Sequence, residues 1–103
     1  TDQPTILIID DNASARHVVE SMLTNMDLRL LFADNGPDGL KEAAENQPDL
    51  ILLDIMMPVM DGYEVCEKLR EATQNTDVPI IMITALDEEL LGSMELNAAR
   101  MIF

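Results

Sequence analysis

Residues 48–62 read PDLILLDIMMPVMDG, and residues 6–12 read ILIIDDN. Each stretch holds a short, unbroken aliphatic run that ends on acid. Ile6-Leu7-Ile8-Ile9 leads into Asp10 and Asp11, and Leu50-Ile51-Leu52-Leu53 leads into Asp54. Such runs fit strands buried on both faces of a parallel sheet, and the carboxyl ends of those strands carry the ligand sites of open α/β folds. Carboxylates gathered at one sheet edge repel one another. A divalent cation among them resolves the conflict, because hard cations take oxygen ligands and offset the repulsion.

Outward from these two runs, strands and helices alternate. The first strand is Thr5 to Ile9, and a helix from about Ser14 to Asn25 follows, capped by Asn12 or Ser14. Its apolar stripe is Val18, Val19, Met22, Leu23 and Met26. Leu28 to Ala33 reads as a second strand. Asn35-Gly36-Pro37 then turns the chain into a helix that starts at Pro37, runs to about Asn46 and buries Leu40, Ala43 and Ala44. Pro48 breaks that pattern before the strand Leu50 to Leu53. A third helix, Tyr63 to Thr73, turns Val65, Cys66, Leu69 and Ala72 to one side. After the Asn75-Thr76-Asp77 loop, Pro79 to Ile83 is a fourth strand ending at Thr84-Ala85. Asp87 to about Leu96 reads as a fourth helix, weakened by Gly92 and favoured at its start by Asp87-Glu88-Glu89; Arg100 to Phe103 begins a fifth strand. The alternation predicts an α/β fold with a doubly wound parallel sheet and right-handed crossovers.

Composition bounds the function. A chain of 103 residues with 48% hydrophobic content makes one domain with a modest core. The formal charge of −14 argues against direct nucleic-acid binding, which needs clustered Lys and Arg. Cys66 is the single cysteine, so no internal disulfide forms, in keeping with a reducing cytoplasm. The apolar runs are too short to span a bilayer, and no membrane partner is expected.

Three segments together, ILIIDDN at 6–12, PDLILLDIMMPVMDG at 48–62 and VPIIMITAL at 78–86, resemble the receiver domains of two-component response regulators across nearly the whole chain. The resemblance implies a flavodoxin-like, five-stranded parallel sheet in the order 2-1-3-4-5. It implies that Asp54 is the phosphoacceptor, taking a phosphoryl group from a sensor histidine kinase or a histidine phosphotransfer protein. Asp11 corresponds to the acid that binds Mg²⁺ directly and Asp10 to the one that holds it mainly through water; Asp54 and the Met56 carbonyl complete the metal set. Thr84 corresponds to the hydroxyl that reaches a phosphoryl oxygen, with the Ala85 amide beside it. Phosphoryl transfer asks a protein chiefly to position groups and neutralise spreading charge, which these residue types do.

The chain departs from the family pattern in two places. Members carry a Lys-Pro pair after the fifth strand; counting from Leu96-Asn97-Ala98, that Lys falls just after Phe103. The expectation is therefore a single receiver domain over 1–103 that stops at or just after strand five, with the final helix absent and an effector domain, if any, beyond Phe103. An uncovered sheet flank invites self-association, so a homodimer is among the expected partners. Met101 stands where members commonly place an aromatic residue that couples to the Thr. Of the remaining residues, Asp61 reads as a turn residue rather than a ligand, His17 as surface and Cys66 as core. Met56, Met57 and Met60 are expected to pack, with Met56 also shaping water access to Asp54. The output expected is a change in protein–protein contacts rather than turnover of an external substrate. Two other readings stay open: a pseudo-receiver interaction module without phosphotransfer, and a Mg²⁺-dependent aspartyl phosphohydrolase. The second is disfavoured because no Asp-x-Asp follows an apolar run.

Overall fold

Both aliphatic runs become central strands of one sheet. The structure, a computed structural model, describes residues 3–72, 77–83 and 100–102, the last three for their backbone alone. Its strands are β1 (Thr5–Ile9), β2 (Arg29–Ala33), β3 (Leu50–Asp54), β4 (Ile80–Ile83) and β5 (Arg100–Ile102), in the order β2-β1-β3-β4-β5. The described helices are α1 (Ala13–Leu23), α2 (Gly36–Asn46) and α3 (Gly62–Glu71). Thr73, Thr84, Ala85 and the helix expected over 87–96 lie outside the described residues.

The pairings among β2, β1, β3 and β4 are parallel, with Ile9 beside Leu53 and Asp54 beside Ile83. β5 is different. It pairs with β4 antiparallel, Arg100 opposite Ile83, which corrects the expectation of a sheet parallel throughout. A strand that enters level with the end of β4 needs no crossover back along the sheet, whereas each parallel pairing demands one.

Side chains alternate across the sheet. Leu7, Ile9, Ile51, Leu53, Ile80 and Met82 join one buried cluster with Ala43 of α2 and Val65, Cys66 and Leu69 of α3. On the opposite face Ile6 and Ile8 are buried, while Leu52 and Ile81 are half-buried. Moving from β2 across β1 to β3 reverses the direction taken from β1 to β2. With right-handed crossovers this sets α2 on the face opposite α1.

Local chemistry sets the helix ends. The Asn12 side chain accepts the Ala15 amide at 3.0 Å, Asn35 accepts Asp38 at 2.7 Å and Asp61 accepts Glu64 at 2.9 Å, so each of the three helices has an N-cap that satisfies an otherwise orphaned donor. α2 ends where Gln47 turns left-handed (φ 46°) ahead of Pro48. Three expected core positions are exposed. Met22 and Met26 are each 56% exposed; α1 stops at Leu23, so the helical stripe cannot continue to Met26. Ala44 is exposed because the buried strip of α2 runs through Gly36, Gly39 and Ala43 instead.

Candidate metal centre

β1 and β3 are adjacent at the point where the sheet's winding reverses, which is where open α/β folds bind ligands. Since Ile9 pairs with Leu53, one residue further along each chain brings Asp10 beside Asp54. Asp10 is 3% exposed and Asp54 is 5% exposed. Asp11, the next residue along, is exposed. One carboxylate oxygen from each of Asp10, Asp11 and Asp54 lies within 4.8 Å of the others. Hard oxygen donors at that mutual distance suit Mg²⁺, which is bound by a small number of carboxylates plus water.

Each buried carboxylate bends back onto its own chain. Asp10 Oδ1 accepts the Asn12 amide at 2.9 Å, and Asp54 Oδ1 accepts the Met56 amide at 3.1 Å. These bonds favour the charged forms but are outweighed. Burial, reinforced by the neighbouring Asp10 carboxylate, pushes Asp54 up to about 7. Burial raises Asp10 as well, with the Asn12 amide opposing it. Both shifts run the same way, so without a cation burial beside a second carboxylate favours a proton on the pair.

The loop after β3 is held tightly. The Gly62 amide donates to the Ile55 carbonyl at 2.9 Å, and a Cβ at Gly62 would stand 2.6 Å from the Asp54 carbonyl oxygen. Only glycine lets α3 begin against the backbone that carries Asp54. Within this loop Met57 is buried and Met60 is half-buried against the core, as expected of packing residues. Met56 departs from that expectation at 73% exposure, its amide instead engaged by Asp54. Asp61 caps α3 and stands outside the acidic group, while His17 is exposed and Cys66 is buried.

Sequence reasoning passed over Arg16. Its Nη1 donates to the Asp10 carbonyl at 2.6 Å, reaching back from α1 to the acidic loop. The only signal was a cation early in the helix that leaves an acidic pair.

Among the described residues, no helix is long and apolar enough to cross a membrane. The family model of the response regulator receiver domain matches residues 6–103. The chain is similar to a probable transcriptional regulator, ycf27, of Pyropia yezoensis, with 46% identity over 95 residues that make up 90% of this chain and 38% of that protein. It is also similar to the response regulator PleD of Caulobacter vibrioides, 43% identical over 80% of this chain and 18% of the relative. The chain thus spans well under half the length of these relatives. Among solved structures, the N-terminal domain of a response regulator receiver protein from Methanoculleus marisnigri superposes with a TM-score of 0.75 at 36% identity, covering 87% of this chain and 75% of the other. Chemotaxis protein CheY4 of Vibrio cholerae superposes at 0.77 with 28% identity, covering 91% and 79%. Receiver domains hold Mg²⁺ in an acidic pocket, and Asp10, Asp11 and Asp54 form a group suited to it. A match that begins within β1 and includes both acidic segments places this α/β, flavodoxin-like chain in one family: it belongs to the response regulator receiver domains, the signalling domains of two-component systems.

Proposed function

We propose that Asp54 accepts a phosphoryl group from a phosphohistidine on a sensor kinase or histidine phosphotransfer protein, and that residues 1–103 act as a single receiver unit. The observation that carries this reading is the buried Asp54 carboxylate at the end of β3 with two further carboxylates within 4.8 Å. An Asp54 oxygen attacks phosphorus; the O–P bond forms as the P–N bond breaks, and the electron pair leaves on the imidazole nitrogen, which takes up a proton. Mg²⁺ held by Asp10, Asp11, Asp54 and the Met56 carbonyl would keep Asp54 ionised and neutralise charge on the phosphoryl oxygens. The Met56 amide orients the Asp54 carboxylate before the reaction. Thr84 and Ala85 directly follow Ile83, the register partner of Asp54, which supports giving their hydroxyl and amide the phosphoryl oxygens.

In this reading the domain turns over no external substrate and works in the cytoplasm, where its kinase and any attached output act. Relatives named transcriptional regulators extend well beyond the matched stretch, which supports a receiver that passes its signal to an output segment through altered contacts. The test is phosphorylation by phosphoramidate or acetyl phosphate with Mg²⁺, read by intact mass. One added phosphoryl group is expected, absent from Asp54→Asn. A folded, Mg²⁺-binding chain that gains no mass would overturn the reading in favour of an interaction module.

A further inference from the structure

We infer that Arg16 is a positioning residue of the acidic site: it fixes the turn between β1 and α1, so that Asp10 and Asp11 meet Asp54 at metal-binding spacing. The inference rests on the Mg²⁺ reading above. β1 ends at Ile9 and α1 starts at Ala13, so Asp10 and Asp11 sit in a connection only three residues long. Most of that connection is tied locally. The Asp10 amide donates to the Ala33 carbonyl at 3.0 Å, the Asn12 amide to Asp10 Oδ1 at 2.9 Å, and the Arg16 amide to the Asn12 carbonyl at 3.1 Å. The carbonyl between Asp10 and Asp11 has left the strand ladder, and its partner is the Arg16 guanidinium at 2.6 Å. Asp11 is exposed, and its carboxylate accepts no hydrogen bond among the described residues. The position of the Asp11 Cα and Cβ, and so the region its carboxylate can reach, follows from the backbone of the turn, and Arg16 holds the carbonyl just before Asp11.

A rival role for Arg16 is purely electrostatic. Its charge is near enough to favour the ionised form of Asp10. The two roles predict opposite signs. A cation beside the site competes with Mg²⁺, so deleting a mere charge tightens metal binding; deleting an anchor loosens it by misplacing the ligands. Arg and Lys separate the roles further, since a guanidinium is a rigid planar donor and an ammonium a flexible point charge. Lys41 supplies the control. It lines the same groove beside Arg16 and Phe32, yet has no hydrogen bond to the acidic loop among the described residues.

The experiment is calorimetric Mg²⁺ titration of the chelator-stripped chain and its Arg16→Gln, Arg16→Lys and Lys41→Gln variants, with metal-free amide exchange followed by NMR. Arg16→Gln is expected to raise the Mg²⁺ Kd roughly tenfold, the usual scale for losing a group that orients a ligand. Arg16→Lys should raise it too, while Lys41→Gln leaves it unchanged or lowers it, and the Asn12 amide, bonded to Asp10 Oδ1 across the turn, should exchange faster in both Arg16 variants. A Kd unchanged or lowered in Arg16→Gln overturns the inference; should that variant not fold, a wild-type Kd and wild-type Asn12 exchange in Arg16→Lys overturn it. If the parent chain binds no Mg²⁺, the reading of the site fails instead, and the metal-free exchange of the Asn12 amide still decides whether Arg16 holds the turn.

Discussion

Asp10 and Asp54 use the same local device, a carboxylate accepting the amide two residues downstream, and each bond turns a side chain that the strand would leave free. The device positions the acids without settling their charge, because neither bond offsets burial beside another carboxylate. A second residue-scale feature lies just beyond Asp54. The Met60 amide donates to the Pro58 carbonyl at 2.7 Å, closing a γ-turn around Val59, whose φ is 70°. A β-branched residue is poorly suited to that left-handed region, which costs roughly 1–2 kcal/mol for an ordinary L-residue. Val59 is 99% exposed, so no apolar burial offsets the strain. Asn tolerates this conformation. Val59→Asn is therefore expected to stabilise the domain by about 1 kcal/mol, seen as a higher urea midpoint with an unchanged slope. An unchanged or lower midpoint would show that the turn is not strained.

At the scale of elements, α2 approaches the sheet through Gly39. A Cβ there would stand 2.5 Å from Ile9 Cδ1 and 2.8 Å from its Cγ1. Helix propensity favours Gly39→Ala by about 1 kcal/mol, whereas overpacking a filled core typically costs 1–3 kcal/mol. Packing wins, because Ile9 is fully buried in the cluster between sheet and helices and has nowhere to retreat. Gly39→Ala should lower stability by about 1–2 kcal/mol in chemical denaturation, and a stabilised variant would refute the close approach. This contact marks the limit of what sequence revealed. Strand runs, the cap at Asn12 and the acidic ends of β1 and β3 were legible, because each is written in neighbouring residues. Gly39 against Ile9, Arg16 against the Asp10 carbonyl and the left-handed Val59 were not. They depend on what the fold brings together or on how a loop must bend. The reversed direction of β5 was missed for a related reason: alternation of runs predicts that a strand exists, while its direction depends on the path between strands.

For the whole molecule, the acidic site makes stability depend on pH in a direction unusual for carboxylates. In the unfolded chain Asp54 has an ordinary carboxylate pKa; in the native state burial and Asp10 raise it to about 7. Between those values the native state holds a proton that the unfolded chain has lost. The stability this proton confers is complete below the ordinary carboxylate range and disappears as pH rises through about 7. The raised value of Asp10 acts in the same sense. The metal-free domain should therefore melt roughly 5 °C or more lower near pH 8 than near pH 5. Asp54→Asn, which keeps an oxygen for the Met56 amide but carries no charge, should flatten that decline. Mg²⁺ should add more stability near pH 8 than near pH 5, because at the lower pH it must displace the proton on Asp54 before it binds. Sodium chloride separates this local effect from the general self-repulsion of a chain with a net charge of −14, since monovalent salt screens surface charge similarly at both pH values. Thermal melts of both proteins across this range, with and without each salt, decide the matter. Parallel pH curves for the parent chain and Asp54→Asn, or equal stabilisation by Mg²⁺ at both ends, would mean that the carboxylates at the ends of β1 and β3 do not govern the domain's response to pH.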